Sequence, residues 1–422
     1  MAARESWSRS DIEALQVVRL NQLWAHAIRH VPYYRELQDS NHLPQQFTSL
    51  REFSEAVPRL GKERVRGAVN DFLSDSHAPG SWHRTGGSTG KPMPVFWSKS
   101  AHLENLLTKY RHDQMYGLEV FDPKTFVWGH AHSFAPGVKG MLDRLRRPLE
   151  DRFRKRLRLS AYCMSDAAQT QNLDRIRRHS SRSIYGYSTA VYLLANRAAQ
   201  MDAQLPELKL VTLTAEPLHD YMVTKIESVF GVPTVAEYGA VECGVIATEF
   251  PDGTLRVRED MCFVETVPTN HDGITLGKFE IIVTVLTNPS FPLIRYSIGD
   301  VTNAAIRRPK IGFSVLGHVD GRSNDLLKAR NGAIIHPNAI KNVVEFVDAI
   351  RFQGVQAANG NFVLNLERPT DLKPAERRRL TQHITSLLAG YSVEIIVTPQ
   401  LETSSAGKHR WLISEMSAEG GA

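Results

Sequence analysis

The stretch from Leu210 to Glu242 constrains the fold more than any other part of the chain. Leu210-Val211-Thr212-Leu213-Thr214-Ala215-Glu216-Pro217-Leu218 opens with apolar and β-branched residues and closes in a proline turn. Val235-Ala236-Glu237-Tyr238-Gly239-Ala240-Val241-Glu242 reads the same way, as a strand ending in a loop. Between them, roughly from His219 to Phe230, lies a helix. A strand–helix–strand rhythm calls for an α/β layer. In such layers ligands bind beyond the strand ends.

A glycine-rich loop lies far upstream, Arg84-Thr85-Gly86-Gly87-Ser88-Thr89-Gly90-Lys91-Pro92. Glycines admit backbone conformations closed to other residues and let a ligand approach closely. Two hydroxyls, a lysine and consecutive N–H groups can form an anion-binding concavity. It departs from a Walker loop, with Thr85 in place of the first glycine and Pro92 in place of the final Ser or Thr. Pro92-Met93-Pro94-Val95-Phe96-Trp97-Ser98 reads as a β segment, whereas a Walker loop runs into a helix. The loop is expected to join two strands. Taken alone it is either a phosphate cradle or a plain tight turn.

At 422 residues the chain can hold two or three domains. Hydrophobic residues at 42% and charged residues at 23% are ordinary for a soluble globular protein. No apolar run is long enough for a transmembrane helix, and the N-terminus lacks the apolar core of a secretory signal. Cys163, Cys243 and Cys262 give no zinc spacing and suggest a reducing compartment, so a cytoplasmic protein is expected. The net charge of +6 suits anionic substrates without arguing for nucleic acid.

The remaining pattern is mixed. Residues from about Arg9 to Leu37 look helical, capped by Ser10 or Asp11 and interrupted at Val31-Pro32. A short helix follows around Ser49–Val57. Ser100 is the expected cap of a helix with Leu103, Leu106, Leu107, Tyr110 and Gln114 on one side. Thr125–Gly129 reads as a buried strand running into His130-Ala131-His132-Ser133-Phe134. Arg144–Arg158 carries Leu145, Leu149, Phe153 and Leu157 at four-residue steps among many cations. It reads as a helix that is either a solvated surface or a contact for a membrane or another anionic partner. Strands are expected at Phe279–Val285 and from Pro292 to Val301. Beyond the polar junction Gly321-Arg322-Ser323-Asn324-Asp325 comes a compact α+β pattern with strands at Phe362–Leu366 and Val393–Thr398 and a helix around Pro374–Leu388. The expected division is 1–320 and 321–422.

Five of these stretches, in this order, resemble the AMP-forming adenylating superfamily, and within it the phenylacetate–CoA ligase-like branch that includes capsular-polysaccharide-type members. The resemblance implies an α/β fold: a large N-terminal domain of layered β-sheets with flanking helices, and a small mobile C-terminal α+β domain. It implies that Thr85, Gly86, Gly87, Ser88, Thr89, Gly90 and Lys91 hold the phosphates of ATP. Ala215-Glu216-Pro217 would lie against adenine, Tyr238 would stack on it beside Gly239 of the same cofactor-binding motif, and Glu242 would ligate Mg²⁺. Val241 replaces the usual Thr or Ser of that motif. Tyr296-Ser297-Ile298-Gly299-Asp300 matches the motif whose aspartate takes the ribose hydroxyls. Arg322 would contact ribose or phosphate, Asn324 would be the hinge pivot, and Lys408 in Ser405-Ala406-Gly407-Lys408 would be the adenylation lysine. His130, His132 and Phe134 would form an acid gate, and the pocket walls would come from His130–Phe134, Tyr185–Ser188 (with Tyr187) and Ala236–Gly239.

The implied chemistry is sound on elementary grounds. A carboxylate is a poor electrophile, and attack on the α-phosphorus of ATP turns it into a mixed anhydride with pyrophosphate as leaving group. Both reactants are anionic, so cations and N–H donors must meet the developing charge. The expectation is an ATP-dependent ligase for a small, possibly aromatic, carboxylic acid. CoA, an amine or a sugar could be the acceptor, and the acid could be one as unusual as nitrite. Two other readings are a non-catalytic nucleotide-binding module in a membrane or polysaccharide assembly complex, and a P-loop phosphotransferase.

Overall fold

The structure is a computed structural model. It describes residues 4–85, 92–128, 148–161, 166–216, 218–269, 278–322, 327–331, 334–335, 340, 343–344, 347, 349, 351–401 and 412–415, with the backbone alone at 322, 328, 334 and 335. The chain divides into two compact units: Met1–Thr266 with Ile281–Ile298 and Ala305–His318, and Val267–Glu280 with Gly299–Ala304 and Val319–Ala422. The fold is α/β, a large N-terminal part followed by a smaller C-terminal one.

The first unit opens with helices α1 (Arg9–His30), α2 (Pro32–Asn41), α3 (Leu50–Ala56) and α4 (Lys62–Gly67). Val31 is extended, as a residue before proline prefers, and Pro32 takes the first turn of α2, where its missing N–H costs nothing. The cap of α1 is Ser8, not Ser10 or Asp11: its hydroxyl accepts the Asp11 N–H at 3.2 Å. Asp11 is instead an acid in the first turn, where the helix dipole favours it.

Strands β1 (Gly80–Arg84) and β2 (Pro94–Ser98) pair antiparallel, Arg84 opposite Pro94, so the glycine loop does join two strands. Helix α5 (Lys99–Met115) follows, and its cap is Ser98, whose hydroxyl accepts the Ala101 N–H at 3.2 Å. The apolar stripe expected to be its inner face is largely outside: Leu103 is 54% and Leu107 44% exposed, while Thr108, His112 and Asp113 are buried. The inner face is polar because it meets hydrogen-bonding partners. His112 Nε2 lies 2.7 Å from the Glu249 carbonyl, and Lys124 pairs with Asp113.

The central sheet comprises β3 (Lys124–Trp128), β4 (Arg156–Ser160), β5 (Ser183–Tyr187), β6 (Leu210–Thr214), β7 (Thr234–Ala240), β8 (Gly244–Glu249) and β9 (Leu255–Val257). Its order is β4-β3-β5-β6-β7-β8-β9, parallel from β4 to β7 and antiparallel beyond. Helices α6 (Asp166–Arg178), α7 (Ser188–Met201) and α8 (Asp220–Phe230) cover one face, where Ile184, Val211 and Leu213 pack with Ile176, Val191 and Ile226. Burying each such side chain contributes roughly 1.5–3 kcal/mol. Alternation along β5 sends Tyr185 to the opposite face, toward α5.

The helix expected across Arg144–Arg158 is shorter than its pattern. Residues 148–153 are helical, Lys155 turns at φ 46°, and Leu157 lies in β4 opposite Thr125. Ladder bonds from β3 satisfy the backbone of 156–160, and tertiary pairing overrides the four-residue period. Arg144, Leu145 and their neighbours to 147 lie outside the described residues.

Strands β10 (Cys262–Pro268), β11 (Phe279–Val285), β12 (Tyr296–Thr302) and β13 (Val319–Arg322) form a four-stranded sheet in that order. β12 begins four residues later than the apolar run suggests, because Arg295 takes φ 48° and breaks the extended path. A hairpin of β14 (Leu327–Lys328) and β15 (Ile334–Ile335) precedes β16 (Arg351–Gln356), β17 (Phe362–Glu367), β18 (Val393–Thr398) and β19 (Leu412–Ser414), with helix α9 (Pro374–Leu387) between β17 and β18. This last sheet is ordered β18-β17-β16-β19.

Candidate active site

Tyr187, Ala215-Glu216 and Tyr238-Gly239 all lie at the carboxyl ends of neighbouring parallel strands, β5, β6 and β7. This edge of an α/β sheet is where ligands bind. Ala215 has φ 69°, a left-handed conformation unusual outside glycine, which turns the chain sharply at the end of β6. The Glu216 carboxylate accepts the Thr189 N–H at 2.9 Å, placing an anion on the N-terminus of α7, where the helix dipole favours it. Tyr187 is buried and its ring centroid lies 4.3 Å from that of Trp128. The ladder between β7 and β8 shifts register at Tyr238/Gly239, and Gly239 runs so close to Gly244 that a Cβ there would meet its carbonyl at 2.4 Å.

Glu242 follows in the tight connection to β8. It is buried, and its Oε1 accepts from Lys62 Nζ at 3.2 Å and from the Tyr296 hydroxyl at 3.3 Å. Oε2 has no hydrogen bond among the described residues. Tyr296, first residue of the Tyr-x-x-Gly-Asp motif, is itself fully buried. Two motifs 54 residues apart thus meet at one carboxylate. Arg295 braces this junction, donating to Glu265 at 2.9 and 3.0 Å and to the Val57 carbonyl. The Trp97 indole holds the Val241 carbonyl at 2.9 Å. Cys243 is buried beside it, as a packed small residue would be.

A second polar cluster lies one residue before Tyr238. Glu237 Oε1 accepts from Lys109 Nζ at 2.8 Å and from the Tyr185 hydroxyl at 2.6 Å, and Lys109 also reaches that hydroxyl at 2.6 Å. Burial disfavours the Glu237 carboxylate, but the Lys109 ammonium and its hydrogen bonds prevail and hold its pKa below the ordinary value. Burial likewise opposes the Lys109 charge, and the attraction of Glu237 outweighs it and raises the pKa. Burial is the first cause that raises Tyr185, which stays a phenol. Neither Lys62 nor Lys109 carries a motif, and each lies more than a hundred residues from its partner.

In the second unit Asp300 pairs directly opposite Arg322 across β12 and β13, so the two residues expected at the ribose and phosphate are neighbours in the ladder. Gly299 has φ 83°, which a side chain would resist. Thr85 is buried; its hydroxyl accepts the Met93 N–H at 2.9 Å and its N–H donates to the Met93 carbonyl at 3.0 Å, closing the base of the glycine loop. Gly86, Gly87, Ser88, Thr89, Gly90, Lys91, His130, His132, Phe134, Pro217, Asn324 and Lys408 lie outside the described residues. The flanks of Lys408 are nevertheless fixed: β18 ends at Thr398 on one edge of its sheet and β19 begins at Leu412 on the other.

No family model matches the sequence. The chain is similar to Protein CapK of Staphylococcus aureus, 23% identical over 365 residues that cover 85% of this chain and 78% of that protein. It is 25% identical over 370 residues to the phenylacetate-coenzyme A ligase of Thermus thermophilus, covering 81% of this chain and 76% of that protein. Among solved structures, a 2-hydroxyisobutyryl-CoA ligase in the postadenylation state with 2-HIB-AMP superposes with a TM-score of 0.75 at 16% identity, covering 98% of this chain and 91% of that one. The ordered motifs, the relatives that align along most of their length, and the shared fold agree: the chain is similar to CapK and to phenylacetate-coenzyme A ligases and has the fold of a CoA ligase.

Proposed function

We propose that this AMP-forming ligase activates a small carboxylic acid as an acyl-adenylate, releases pyrophosphate, and passes the acyl group to CoA. The observation that carries the reading is the junction at Glu242, where a buried carboxylate at the strand ends is held by Lys62 and by Tyr296 of a second nucleotide motif. ATP would have the glycine loop and Lys91 at its phosphates and Tyr238 and Ala215-Glu216 at adenine; Asp300 would take the ribose hydroxyls and Arg322 the ribose or a phosphate. Glu242 suits Mg²⁺ as a single protein ligand, because one oxygen is engaged, the other has no hydrogen bond among the described residues, and this ion takes its remaining ligands from phosphates and water. When bound, Mg²⁺ would neutralise phosphate charge. Lys408 would bridge the carboxylate and the α-phosphate and align them.

Functionally we divide the chain at 320/321, with the C-terminal part swinging about Asn324 to withdraw Lys408 after the first half-reaction. His130, His132, Phe134 and Tyr187 would shape the acid pocket. Transfer to an amine or a sugar would follow the same first step, and activation of an acid such as nitrite would be a variant of it. The test is product analysis of ATP and Mg²⁺ over a panel of acids, beside Lys408→Ala. AMP and pyrophosphate are expected with one acid and are lost by a factor of about 100 or more in the variant. ADP as product, or no turnover with any acid, overturns the reading.

A second contact is favoured by one observation. Leu149 and Phe153 are 71% and 79% exposed beside Arg152, Arg154 and Lys155. We propose that this turn meets an anionic lipid surface, apolar side chains inserting while the cations face headgroups.

A further inference from the structure

Beneath α5, on the sheet face opposite the main apolar core, lies a cavity of about 150 Å³. A cavity of that size accommodates a benzene ring. Its walls are mixed: Leu106, Tyr110, Leu118, Val120 and Phe126 supply apolar surface beside the charged Asp113, Glu119, Asp122, Lys124, Arg154 and Arg156, and Lys109, Tyr185 and Glu237 also line it. Within this trio only part of the bonding capacity is used. Glu237 Oε1 takes both donors, Oε2 takes none among the described residues, and the ammonium of Lys109 has three protons for two partners. Deeper in, the buried hydroxyl of Ser183 also lacks a partner. Unmet buried polar atoms favour a ligand that supplies both a donor and an acceptor.

The position relative to the strand ends identifies the ligand. Glu237 is adjacent to Tyr238, and Tyr185 stands two residues, about 7 Å, below the end of β5 at Tyr187. Trp128 bridges the two levels, its ring centroid 4.3 Å from Tyr187 and 5.7 Å from Tyr185. An acid whose carboxylate is activated at the strand ends would place its far end here, after about the length of one ring. Lys109 and Glu237 cancel in charge, so the group they suit is neutral and dipolar: a hydroxyl donating to Glu237 Oε2 and accepting from Lys109. A second carboxylate would face Glu237, and an amine would face Lys109.

Resting on the ligase reading above, we propose that Lys109, Tyr185 and Glu237 form the specificity floor of the acid pocket and select a ring-sized carboxylic acid with a hydroxyl at its distal end. They are positioning and recognition groups, and the reacting atoms lie one ring away.

The test uses matched acids that differ by a single hydroxyl: 4-hydroxyphenylacetate against phenylacetate, and 4-hydroxybenzoate against benzoate. Binding to the full chain is read by calorimetry and, separately, AMP formation is measured. One hydroxylated acid is expected to bind at least tenfold more tightly than its partner. Glu237→Gln and Tyr185→Phe should shrink that ratio below threefold through the KM of the acid, with the KM of ATP unchanged. Tyr185→Phe deletes one oxygen, and its thermal unfolding beside wild type guards against a folding artefact. Selective binding lost in the variants but without AMP formation would leave this assignment standing and overturn the ligase reading. AMP formed equally from both members of each pair, variants that weaken both alike, or no binding of any probe because only water fills the cavity, would overturn this assignment and leave the ligase reading to its own test.

Discussion

At the scale of single residues, Ala215 is the position whose local cost is clearest. Left-handed backbone costs an L-residue roughly 1–2 kcal/mol, and glycine would remove that while returning roughly 0.4–1 kcal/mol through a freer unfolded chain. Ala215→Gly is therefore expected to leave the urea midpoint unchanged or slightly raised. Ala215→Val, which adds a branch at a positive φ, should lower stability by roughly 1–3 kcal/mol. If valine is tolerated without loss, the conformation at the end of β6 is not the one described. The sequence makes Tyr238, Glu242 and Asp300 legible because each motif is consecutive in the chain. It hides Lys62 and Lys109, since a lysine in a helix carries no mark of a carboxylate 180 or 128 positions away.

Among elements, legibility follows the source of the stabilising contacts. The break between α1 and α2 is written in Val31-Pro32, and the β6–α8–β7 unit in its apolar runs, because both are local. Helix α5 is misread as to its buried face, since hydrogen-bonded His112 and Asp113 go inside while Leu103 and Leu107 stay out. The cationic stretch to Arg158 is misread because the pairing of β4 with β3 cannot be seen from either strand alone. Its helical turn still carries a prediction. Vesicles containing anionic lipid should retain the protein at low salt, neutral vesicles should not, and retention should fall steeply as ionic strength rises. Leu149→Glu with Phe153→Glu should reduce retention at least tenfold; equal retention would remove the lipid contact.

Over the whole molecule the histidines give a pH signature. His26, His83, His112 and His179 all have pKa values held below the ordinary one, with burial the first cause in each. In the unfolded chain they protonate near about 6.5. Between the lowered folded values and that point the unfolded state binds more protons, so stability rises with pH through the window and falls as pH drops. The unfolding temperature should decrease from pH 7.5 to pH 5.5, and His112→Gln should make the decrease shallower. A flat profile would mean that these rings are open to solvent.

The glycine contact between β7 and β8 bears on how such a chain can change over generations. A Cβ on Gly239 would strike the Gly244 carbonyl, and one on Gly244 would come within 2.7 Å of Asn105 Oδ1 at a backbone φ of 72°. Gly239 is therefore closed to drift by the Gly244 backbone, and Gly244 by Asn105 and by its own backbone conformation. Variation is channelled into Ala240 and Val241, the latter 43% exposed. A lineage can explore new side chains at those two positions without ever loosening the turn that presents them.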